Sequence, residues 1–548
     1  MKKTILIIFL IFTCSAFGQT PAVDALRQKA EQGDADAQCD LGYVYYAGHG
    51  VPKDETEAAK WYRKSAEQGK VEAQYNLGSM YAHGIGVTKD DAEALKWYFK
   101  AAGQGNVITQ CVLGNMYITG QGVAKDETEA AKWWRKAAEQ GDAGSQYNIG
   151  AMYMNGQGVP KDVTEAVKWF RKAAEQGNAD AQLKLGDMYI DGLDVTKDKA
   201  EAAKWYRKAA EQGDANAQCA LGFIYASGQG VTKDYAEALK WYHKGVEQGH
   251  AGSQFGLGLM YFDGLGVDMD KAEATKWIRK AAEQGHVLAQ SSLGAMYANG
   301  QGVDKDDAEA AKWLRKAAEG GFADAQFNLG NMYDEGRGVA KDETETAKWW
   351  RKAAEQGHID AQHNLGNMYF TGQGVAKDDA EAAKWYRKAA EQGLALAQFD
   401  LGAMYANGQG VTKDITETIK WYLKAADQGY ADAQNRLGIM YTIGDGVAVD
   451  YAEAESWYRK AAEQGHADAQ NNLGNMYHTG QGVTKDEAAA AKWFRKAAEQ
   501  GHALAQYNLG LMYLYGEGVS HDINEAKIWF GKSAAQGNEE AAKVLKTL

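Results

Sequence analysis

The sequence predicts an all-α solenoid of about fourteen tandem helix–turn–helix repeats of 36 residues, with a half-repeat at each end. Tryptophan recurs every 36 residues without a slip, and a Leu-Gly pair (once Ile-Gly) follows the same period. Periods of about 20–50 residues are typical of solenoids and other arrays, in which each unit packs mainly on its neighbours. The periodic tryptophans are Trp61, Trp97, Trp133, Trp169, Trp205, Trp241, Trp277, Trp313, Trp349, Trp385, Trp421, Trp457, Trp493 and Trp529.

The first residues differ in composition from all that follow and predict an export signal. Two lysines precede the apolar run Ile5–Phe12, and Ala16 and Gly18 then offer small residues for signal-peptide cleavage. We therefore expect a signal peptide over residues 1–18, a mature chain that begins near Gln19, and a periplasmic or secreted protein.

Lipid attachment at Cys14 is the alternative outcome of export. Phe12 is bulky at a place where a bacterial lipobox has a small residue, so the sequence favours cleavage over lipidation. No later stretch approaches the ~20 apolar residues of a membrane span. We therefore expect no transmembrane segment in the mature chain.

The repeats follow in a fixed order between two incomplete units. Residues 19–33 match only the second helix of the repeat, and residues 538–548 match only the first. Polar half-repeats of this kind protect the ends of a solenoid core from water. Fourteen complete repeats are expected to fill residues 34–537.

The first helix of each repeat, helix A, is predicted from apolar residues that recur every four positions. In the first repeat these residues are Ala37, Leu41 and Tyr45, which would lie on one helix face. Gly42 allows the partner helix to approach closely. The segment Gly48–Val51 is predicted to be a tight turn, because its glycines readily adopt positive φ.

The second helix, helix B, is predicted to begin at Asp54. Asp54 and Glu57 have the Asp-x-x-Glu spacing of a capping box, and the pair recurs in every repeat except the one in which Ala489 replaces the glutamate. An active site would not recur in this way, so the carboxylate pairs indicate helix capping. Trp61 gives helix B its packing face, and Gln68–Gly69 end it.

The motif A-x-x-L-G-x-M-Y-x-x-G-x-G-V-x-K-D-x-x-E-A-x-K-W-Y-R-K-A-A-E-Q-G resembles the Sel-one-like repeat (SLR) family, which is related to tetratricopeptide repeats. In one copy it is carried by Ala73, Leu77, Gly78, Met80, Tyr81, Gly84, Gly86, Val87, Lys89, Asp90, Glu93, Ala94, Lys96, Trp97 and Tyr98. The family is made of α/α superhelices that act mostly as protein-binding adaptors. The resemblance therefore implies a right-handed superhelix and an adaptor role. The local departures from the motif are Asp194, Met269, Val449 and Ile149.

The charge pattern argues against nucleic acid or anionic lipid as the partner. The 60 Lys and Arg residues are interleaved with 73 Asp and Glu residues, and the formal net charge is −13. A nucleic-acid-binding protein is expected to show a clustered basic footprint, which this sequence lacks.

The three cysteines of the predicted mature chain are expected to be free, partly buried thiols. Cys39, Cys111 and Cys219 occupy the same repeat position, two and then three repeats apart. Packed helices lie about 8–10 Å apart, so these residues cannot reach the ~7 Å Cα separation that a disulfide requires. The same separation excludes a shared redox or metal site.

The sequence shows none of the common catalytic motifs that we sought, which were G-x-S-x-G, S-x-x-K, H-E-x-x-H and C-x-x-C. The residues Gly531–Ser533 match the last three residues of a P-loop motif. They are predicted to lie inside helix B, however, and Ala526 occupies the position at which the motif requires its first glycine. We expect no enzyme activity and no cofactor. The alternative is a cell-envelope enzyme, because some cysteine-rich relatives of the SLR family are described as β-lactamases or penicillin binders. Those relatives carry a disulfide pair in each repeat, which this chain lacks.

The histidines predict helix caps and no metal site. Five of the 11 histidines share the position that opens helix A, where short polar side chains cap the helix. They are His250, His286, His358, His466 and His502. Whole repeats separate them, so they cannot converge on one ion. His83, His363 and His478 stand at variable positions instead.

Five positions of helix A vary freely among the repeats, whereas the core positions do not. In the first repeat they hold Cys39, Asp40, Tyr43, Tyr46 and Ala47. By resemblance to tetratricopeptide repeats, these positions line the concave face. Aromatic residues are frequent at the first and Asn at the second, a mixture that suits an extended peptide. The predicted ligand-binding stripe consists of Tyr147, Asn148, Phe255, Phe327, Asn328, His363, Asn364 and Phe399.

The sequence thus predicts an exported, non-enzymatic scaffold that binds a protein or peptide along its concave face. A glycan-binding spacer is a further alternative, favoured if the aromatic residues are exposed but unable to hold a peptide.

Overall fold

The structure is a computed structural model that describes residues 20–548. The predicted signal peptide and Cys14 lie outside the described residues. Residues 20–548 form 30 α-helices and no β-strand, as the sequence predicts.

Helices A and B alternate along the whole described chain, with A at the even numbers and B at the odd numbers. Their bounds are α1 Thr20–Glu31, α2 Ala35–Ala47, α3 Glu55–Glu67, α4 Val71–His83, α5 Asp91–Gly103, α6 Val107–Thr119, α7 Glu127–Glu139, α8 Ala143–Asn155, α9 Val163–Glu175, α10 Ala179–Asp191, α11 Lys199–Glu211, α12 Ala215–Ser227, α13 Tyr235–Glu247, α14 Ala251–Asp263, α15 Lys271–Glu283, α16 Val287–Asn299, α17 Asp307–Glu319, α18 Ala323–Glu335, α19 Glu343–Glu355, α20 Ile359–Thr371, α21 Asp379–Glu391, α22 Ala395–Asn407, α23 Ile415–Asp427, α24 Ala431–Ile443, α25 Tyr451–Glu463, α26 Ala467–Thr479, α27 Glu487–Glu499, α28 Ala503–Tyr515, α29 Ile523–Ala535 and α30 Glu539–Thr547. No helix among these is long and apolar enough to cross a membrane.

The chain divides into two compact units, Met1–Trp277 (unit 1) and Ile278–Leu548 (unit 2). Within each unit, a helix packs chiefly on the helix before it and the helix after it in the chain. In unit 1, α12 and α14 also contact each other. The predicted repeat architecture is therefore confirmed in both units.

The core of unit 1 runs from one repeat into the next. One buried cluster joins Trp134, Ile149, Phe170, Leu185 and Trp205, which come from the successive helices α7 to α11. Unit 2 is built in the same way, for example where α17, α18 and α19 share one cluster. Burial of apolar surface across each junction therefore couples the stability of neighbouring repeats.

The periodic tryptophans are core residues, with one exception. Thirteen of the fourteen are buried, whereas Trp277 is only half-buried at the edge of a unit 1 cluster. In the first repeat, the Lys64 ammonium lies 4.0 Å from the centroid of the Trp61 ring, and Lys60 bonds Glu57 at 2.8 Å. The lysines of helix B therefore cover indoles and pair with carboxylates, which distributes positive charge along the helix.

The helix boundaries follow the predicted caps. Asp34 opens helix A in the first repeat, and its Oδ1 accepts the backbone N–H of Ala37 at 2.8 Å. Gly48 ends the helix in the left-handed conformation, with φ of 74°. Helix B begins after Asp54, whose Oδ1 accepts the N–H of Glu57 at 2.9 Å.

The glutamate of the predicted capping box does not make its expected bond in the first repeat. In a capping box it would accept the backbone N–H of the cap residue. That N–H, on Asp54, instead donates to the carbonyl of Tyr45 in the preceding helix A at 2.9 Å. The side chain of Glu57 is bound by Lys60. The Asp half of the prediction is confirmed, and the reciprocal Glu half is wrong because the turn brings a competing carbonyl to the N–H.

Two glycines of the repeat are required by close approach. An added Cβ at Gly42 would lie 2.8 Å from Cδ1 of Tyr62, so this glycine lets helix A contact the aromatic residue of helix B, as predicted. The second turn glycine has a role that the sequence analysis missed. At Gly338, where φ is 67°, a Cβ would lie 1.9 Å from the carbonyl oxygen of Asp307 in the preceding repeat.

A pair of glutamine side chains links three helices in most repeats. In the first repeat, Gln38 Nε2 donates to the carbonyl of Ala30 at 2.9 Å, and Gln38 Oε1 accepts from Gln68 Nε2 at 2.7 Å. Gln38 thus connects helix A with the helix B on either side. The bond between the two amides recurs at 2.7–2.9 Å along both units, but Gly320 stands in the place of the donor in one repeat.

The three cysteines of the described chain are free, as predicted. Burial, together with a smaller contribution from the carboxylate of Asp40, raises the pKa of the Cys39 thiol to about 12. Burial also raises the pKa of Cys111 to about 12. These thiols are therefore protonated and poorly nucleophilic at neutral pH.

Candidate functional site

The surface formed by the five variable positions of helix A is called the inner face below. The predicted stripe on this face is divided between the two units. Tyr147, Asn148 and Phe255 lie in unit 1, and the other five residues lie in unit 2.

In unit 1 the predicted residues are half-buried. Tyr147 on α8 packs on Phe170 of α9, with ring centroids 5.6 Å apart. Burial raises the pKa of the Tyr147 hydroxyl, with smaller contributions from two aspartates. The Tyr147 ring therefore covers a core aromatic residue and keeps part of its surface for contact.

In unit 2 the predicted phenylalanines lie on a layer of aromatic rings. Phe327 stacks on His358 with centroids 4.3 Å apart, and on Trp350 at 6.3 Å. Phe399 stacks on Tyr422 at 5.4 Å. Both phenylalanines are half-buried. The two phenylalanines are thus not freely exposed. They belong to a layer of side chains that packs on helix B and forms the floor of the inner face.

His363 is the most buried member of the predicted stripe, with 6% of the residue exposed. Its Nε2 lies 2.8 Å from Oδ2 of Asp400 on the next helix A, and its ring lies 5.5 Å from that of Tyr386. Asn364 beside it is half-buried. His363 therefore contributes more to the floor of the inner face than to its open surface.

The amides of the inner face bond to one another across repeats in unit 2. Asn472 Nδ2 donates to Asn435 Oδ1 at 3.2 Å, and Asn508 Nδ2 donates to Asn471 Oδ1 at 3.1 Å. These bonds join the first variable position of one repeat to the second position of the next, as His363 and Asp400 do. Asn328, in contrast, is exposed on α18.

The inner face of unit 1 carries a cavity of about 570 Å³ between α4 and α6. All but three of its lining residues come from these two helices A. The lining consists of Tyr75, Ser79, Ala82, His83, Tyr98, Ile108, Cys111, Val112, Asn115, Met116, Thr119, Gln121 and Asp142. It includes members of all five variable positions, so the variable positions do line a concave surface here.

The predicted stripe begins later in the chain, at Tyr147, and includes none of the residues that line this cavity. No sequence signal singles out this place, because other repeats also carry small residues at both positions of Ser79 and Ala82, for example Ala295 with Ala298. In the structure, Ser79 and Ala82 line the cavity together with Val112 and Asn115 of the next helix A.

Two exposed apolar side chains extend the inner face of unit 1. Phe223 on α12 is 55% exposed, and Leu259 on α14 is 38% exposed. Both occupy the third variable position, in adjacent repeats whose helices A contact each other. Exposed apolar groups next to each other often mark interaction sites. Neither residue was in the predicted stripe.

The histidines at the start of helix A are caps, as predicted. For example, the Nδ1 atoms of His358 and His502 accept backbone N–H groups at 3.2 and 3.0 Å. His250, His286 and His466 cap their helices in the same way.

Comparison with known proteins gives the same repeat unit. The Sel1 repeat profile matches residues 35–70, 71–106, 108–142, 143–178, 179–214, 215–250, 251–286, 287–322, 323–358, 359–394, 395–430, 431–466, 467–502 and 503–538. A solved structure of a protective antigen from uropathogenic Escherichia coli strains, described as displaying an SLR fold, is 38% identical with a TM-score of 0.59. That match covers 88% of this chain and 97% of the antigen chain.

Two further relatives are similar over smaller parts of the chain. A Sel1 repeat protein from Oxalobacter formigenes is 38% identical with a TM-score of 0.48, over 60% of this chain and 92% of that one. The secretory immunoglobulin A-binding protein EsiB of Escherichia coli is 42% identical over 67 residues, which are 11% of this chain and 14% of EsiB. Because the repeat matches run from residue 35 to residue 538, the chain belongs to the Sel1 repeat family.

Proposed function

We propose that the chain is an exported, non-enzymatic scaffold that binds a protein or an extended peptide on the inner face of its helices A. The observation that carries this proposal is the cavity between α4 and α6. Its lining includes the positions that vary among repeats, while the core positions around it stay constant. Variation at exposed positions on a constant framework is what a recognition surface requires.

The chemistry of the cavity suits a peptide. Tyr75 and Val112 offer apolar contact, and the exposed side chains of His83 and Asn115 offer hydrogen-bonding groups at the rim. A volume of about 570 Å³ lies within the ~300–1,000 Å³ range of ligand-binding clefts. A few side chains of a partner would fill this space.

The relatives support a protein as the ligand. EsiB is named for binding secretory immunoglobulin A, which is a protein. Export, inferred from the first 18 residues, would place this chain where such partners occur. We propose no catalytic residue, because the Cys39 and Cys111 thiols are protonated and the histidines at the start of helix A are helix caps.

A site-specific crosslinking experiment tests the binding face in unit 1. A photoreactive phenylalanine analogue is placed at Val112 in the cavity or, as a control, at the exposed Glu175 on α9, in a chain that begins at residue 19. Candidate ligands are a random peptide library and purified extracellular glycoproteins. We expect protein or peptide adducts at position 112 only. Adducts at both positions, or with glycan chains alone, would contradict the proposal.

Substitution tests the predicted stripe in unit 2. Replacement of Phe327 and Phe399 by Ala is expected to weaken binding of the crosslinked partner by more than ~2 kcal/mol, because buried aromatic anchors dominate interfaces. Ala at the exposed Glu319 of α17 serves as the control. Both phenylalanines stack on core-side rings, so binding is compared only between variants with equal helicity. Unchanged affinity in the double variant would remove these residues from the site.

A further inference from the structure

Three side chains that could hold a metal ion meet near the end of unit 2. His478 lies near the end of α26, Glu487 is the first residue of α27, and Glu517 lies in the turn after α28. His478 Nδ1 is 2.7 Å from Glu487 Oε2. One ligand atom from each of the three side chains lies within 4.8 Å of the other two.

Two of these residues depart from what the repeat carries elsewhere. At the position of Glu517, other repeats hold mostly glutamine, and no other repeat holds glutamate. His478 is the only histidine at its repeat position. Earlier repeats hold Tyr46, Ala82, Ile118, Met154, Ile190, Ala226, Phe262, Ala298, Asp334, Phe370, Ala406 and Thr442 there, and Leu514 follows. The two exceptional side chains come from successive repeats, yet they meet at the same carboxylate.

Lys485 orients that carboxylate. Its Nζ lies 2.8 Å from Glu487 Oε1, which leaves Oε2 directed toward His478. Glu487 and Glu517 carry two negative charges, and Lys485 carries one positive charge. The cluster is therefore net negative and would attract a cation. All three candidate ligands keep access to solvent.

We propose that His478, Glu487 and Glu517 bind a divalent transition-metal ion of the zinc class. An imidazole nitrogen with carboxylate oxygens suits Zn²⁺, whereas Mg²⁺ and Ca²⁺ prefer oxygen ligands alone. Zinc holds such ligands at about 2.0–2.2 Å, which small side-chain rotations from the present positions would allow. The ion binds the lone pair of His478 Nδ1 in the neutral tautomer that carries its proton on Nε2, the contact of Nδ1 with Glu487 is replaced by the two metal–ligand bonds, and water completes the coordination.

The ion would join two successive repeats. His478 and Glu487 belong to one repeat, and Glu517 belongs to the next. A ligand that binds only the folded arrangement stabilises it in proportion to its affinity and concentration. Bound zinc would therefore stabilise the junction between these two repeats, independently of any partner on the inner face.

Zinc titration of the full chain by calorimetry tests the proposal. The test variants are Glu517→Gln, which restores the residue that other repeats carry, and His478→Ala, which is the residue at Ala406. The matched control is Asp445→Gln, at the same turn position two repeats earlier. We expect one Zn²⁺ site that weakens at least tenfold in both test variants and is unchanged in the control. Mg²⁺ and Ca²⁺ should give no comparable site.

Hydrogen exchange gives a second readout that does not depend on counting sites. Zinc should slow amide exchange in residues 478–487 and 516–518 of the wild-type chain, and should have no such effect on Glu517→Gln. Equal zinc isotherms for the wild type and both test variants would overturn the proposal. So would a result in which His478→Ala lowers stability without metal while zinc protects nothing, because the cluster would then be an ion pair only.

Discussion

At the level of single residues, the glutamine link between helices is interrupted at Gly320. This residue has helical backbone angles, with φ of −70°, and stands where other repeats place the glutamine that donates to helix A. Gln290, the expected acceptor, is buried and still donates to the carbonyl of Ala282 at 3.1 Å. A glutamine at 320 could complete the link.

We expect Gly320→Gln to be more stable than Gly320→Ala by about 0.5–1.5 kcal/mol, the usual net value of one hydrogen bond. The alanine variant accounts for the loss of glycine flexibility and for the close contact with Val287, where a Cβ would lie 3.1 Å from Cγ2. The measurement is amide hydrogen exchange of the two helices that flank Gly320, α17 and α18. Equal stability of the two variants would show that the link contributes nothing at this junction.

At the level of the helices, the tryptophan of helix B is expected to dominate local stability. Trp313 is 5% exposed, whereas Trp277 is half-buried. Trp313→Ala should cost about 3–5 kcal/mol, as large-to-small core substitutions do, and Trp277→Ala should cost clearly less. Hydrogen exchange of the flanking helices measures each effect locally, since long arrays do not unfold in one step. A larger effect at Trp277 would contradict the assignment by burial.

The elements could be predicted from the sequence because their signals are local and repeated. Each signal specifies a conformation through neighbours a few residues away. In the first repeat, these signals are the apolar spacing around Leu41 and Trp61, the cap at Asp54 and the glycine at Gly48. The capping glutamate could not be assigned correctly, because its expected donor is taken by Tyr45, which local spacing does not place there.

The candidate site was harder to predict than the fold. The sequence predicts a binding surface on helix A, and a cavity lies on that surface. Its position between α4 and α6 depends on how the small side chains of Ser79 and Ala82 face the next repeat, which is a property of packing. The glutamine links were missed for the same reason, since their partners lie 30 residues apart.

At the level of the whole molecule, nearest-neighbour packing makes complete repeats removable. Deletion of residues 359–394 removes one matched repeat and joins His358 to Ala395. The new junction reads His-Ala-Leu-Ala-Gln, which already occurs at residues 502–506. We expect this variant to keep the helicity per residue of the parent, because each helix regains a neighbour of the correct type.

The control is deletion of residues 377–394, which removes only α21 and brings two helices A together. The tryptophan of helix B would then be missing from that junction, and we expect loss of cooperative melting around it. Circular dichroism and thermal melts compare the two variants. If both deletions were tolerated equally, the pairing of helices A and B would not be the stabilising unit.

The chain has 16 tryptophans, and only Trp134 and Trp350 lie outside the period of 36. Trp350 contacts the inner face directly, since its Nε1 donates to Asn331 Oδ1 at 2.9 Å and its ring lies beneath Phe327. The fourteen periodic indoles belong to helix B and are mostly shielded by lysines. The difference in fluorescence emission between the wild-type chain and the Trp350→Phe variant would report on this one indole, which lies beneath the predicted stripe. The protein therefore carries an intrinsic optical probe of the surroundings of Phe327 in unit 2, with no need for a dye.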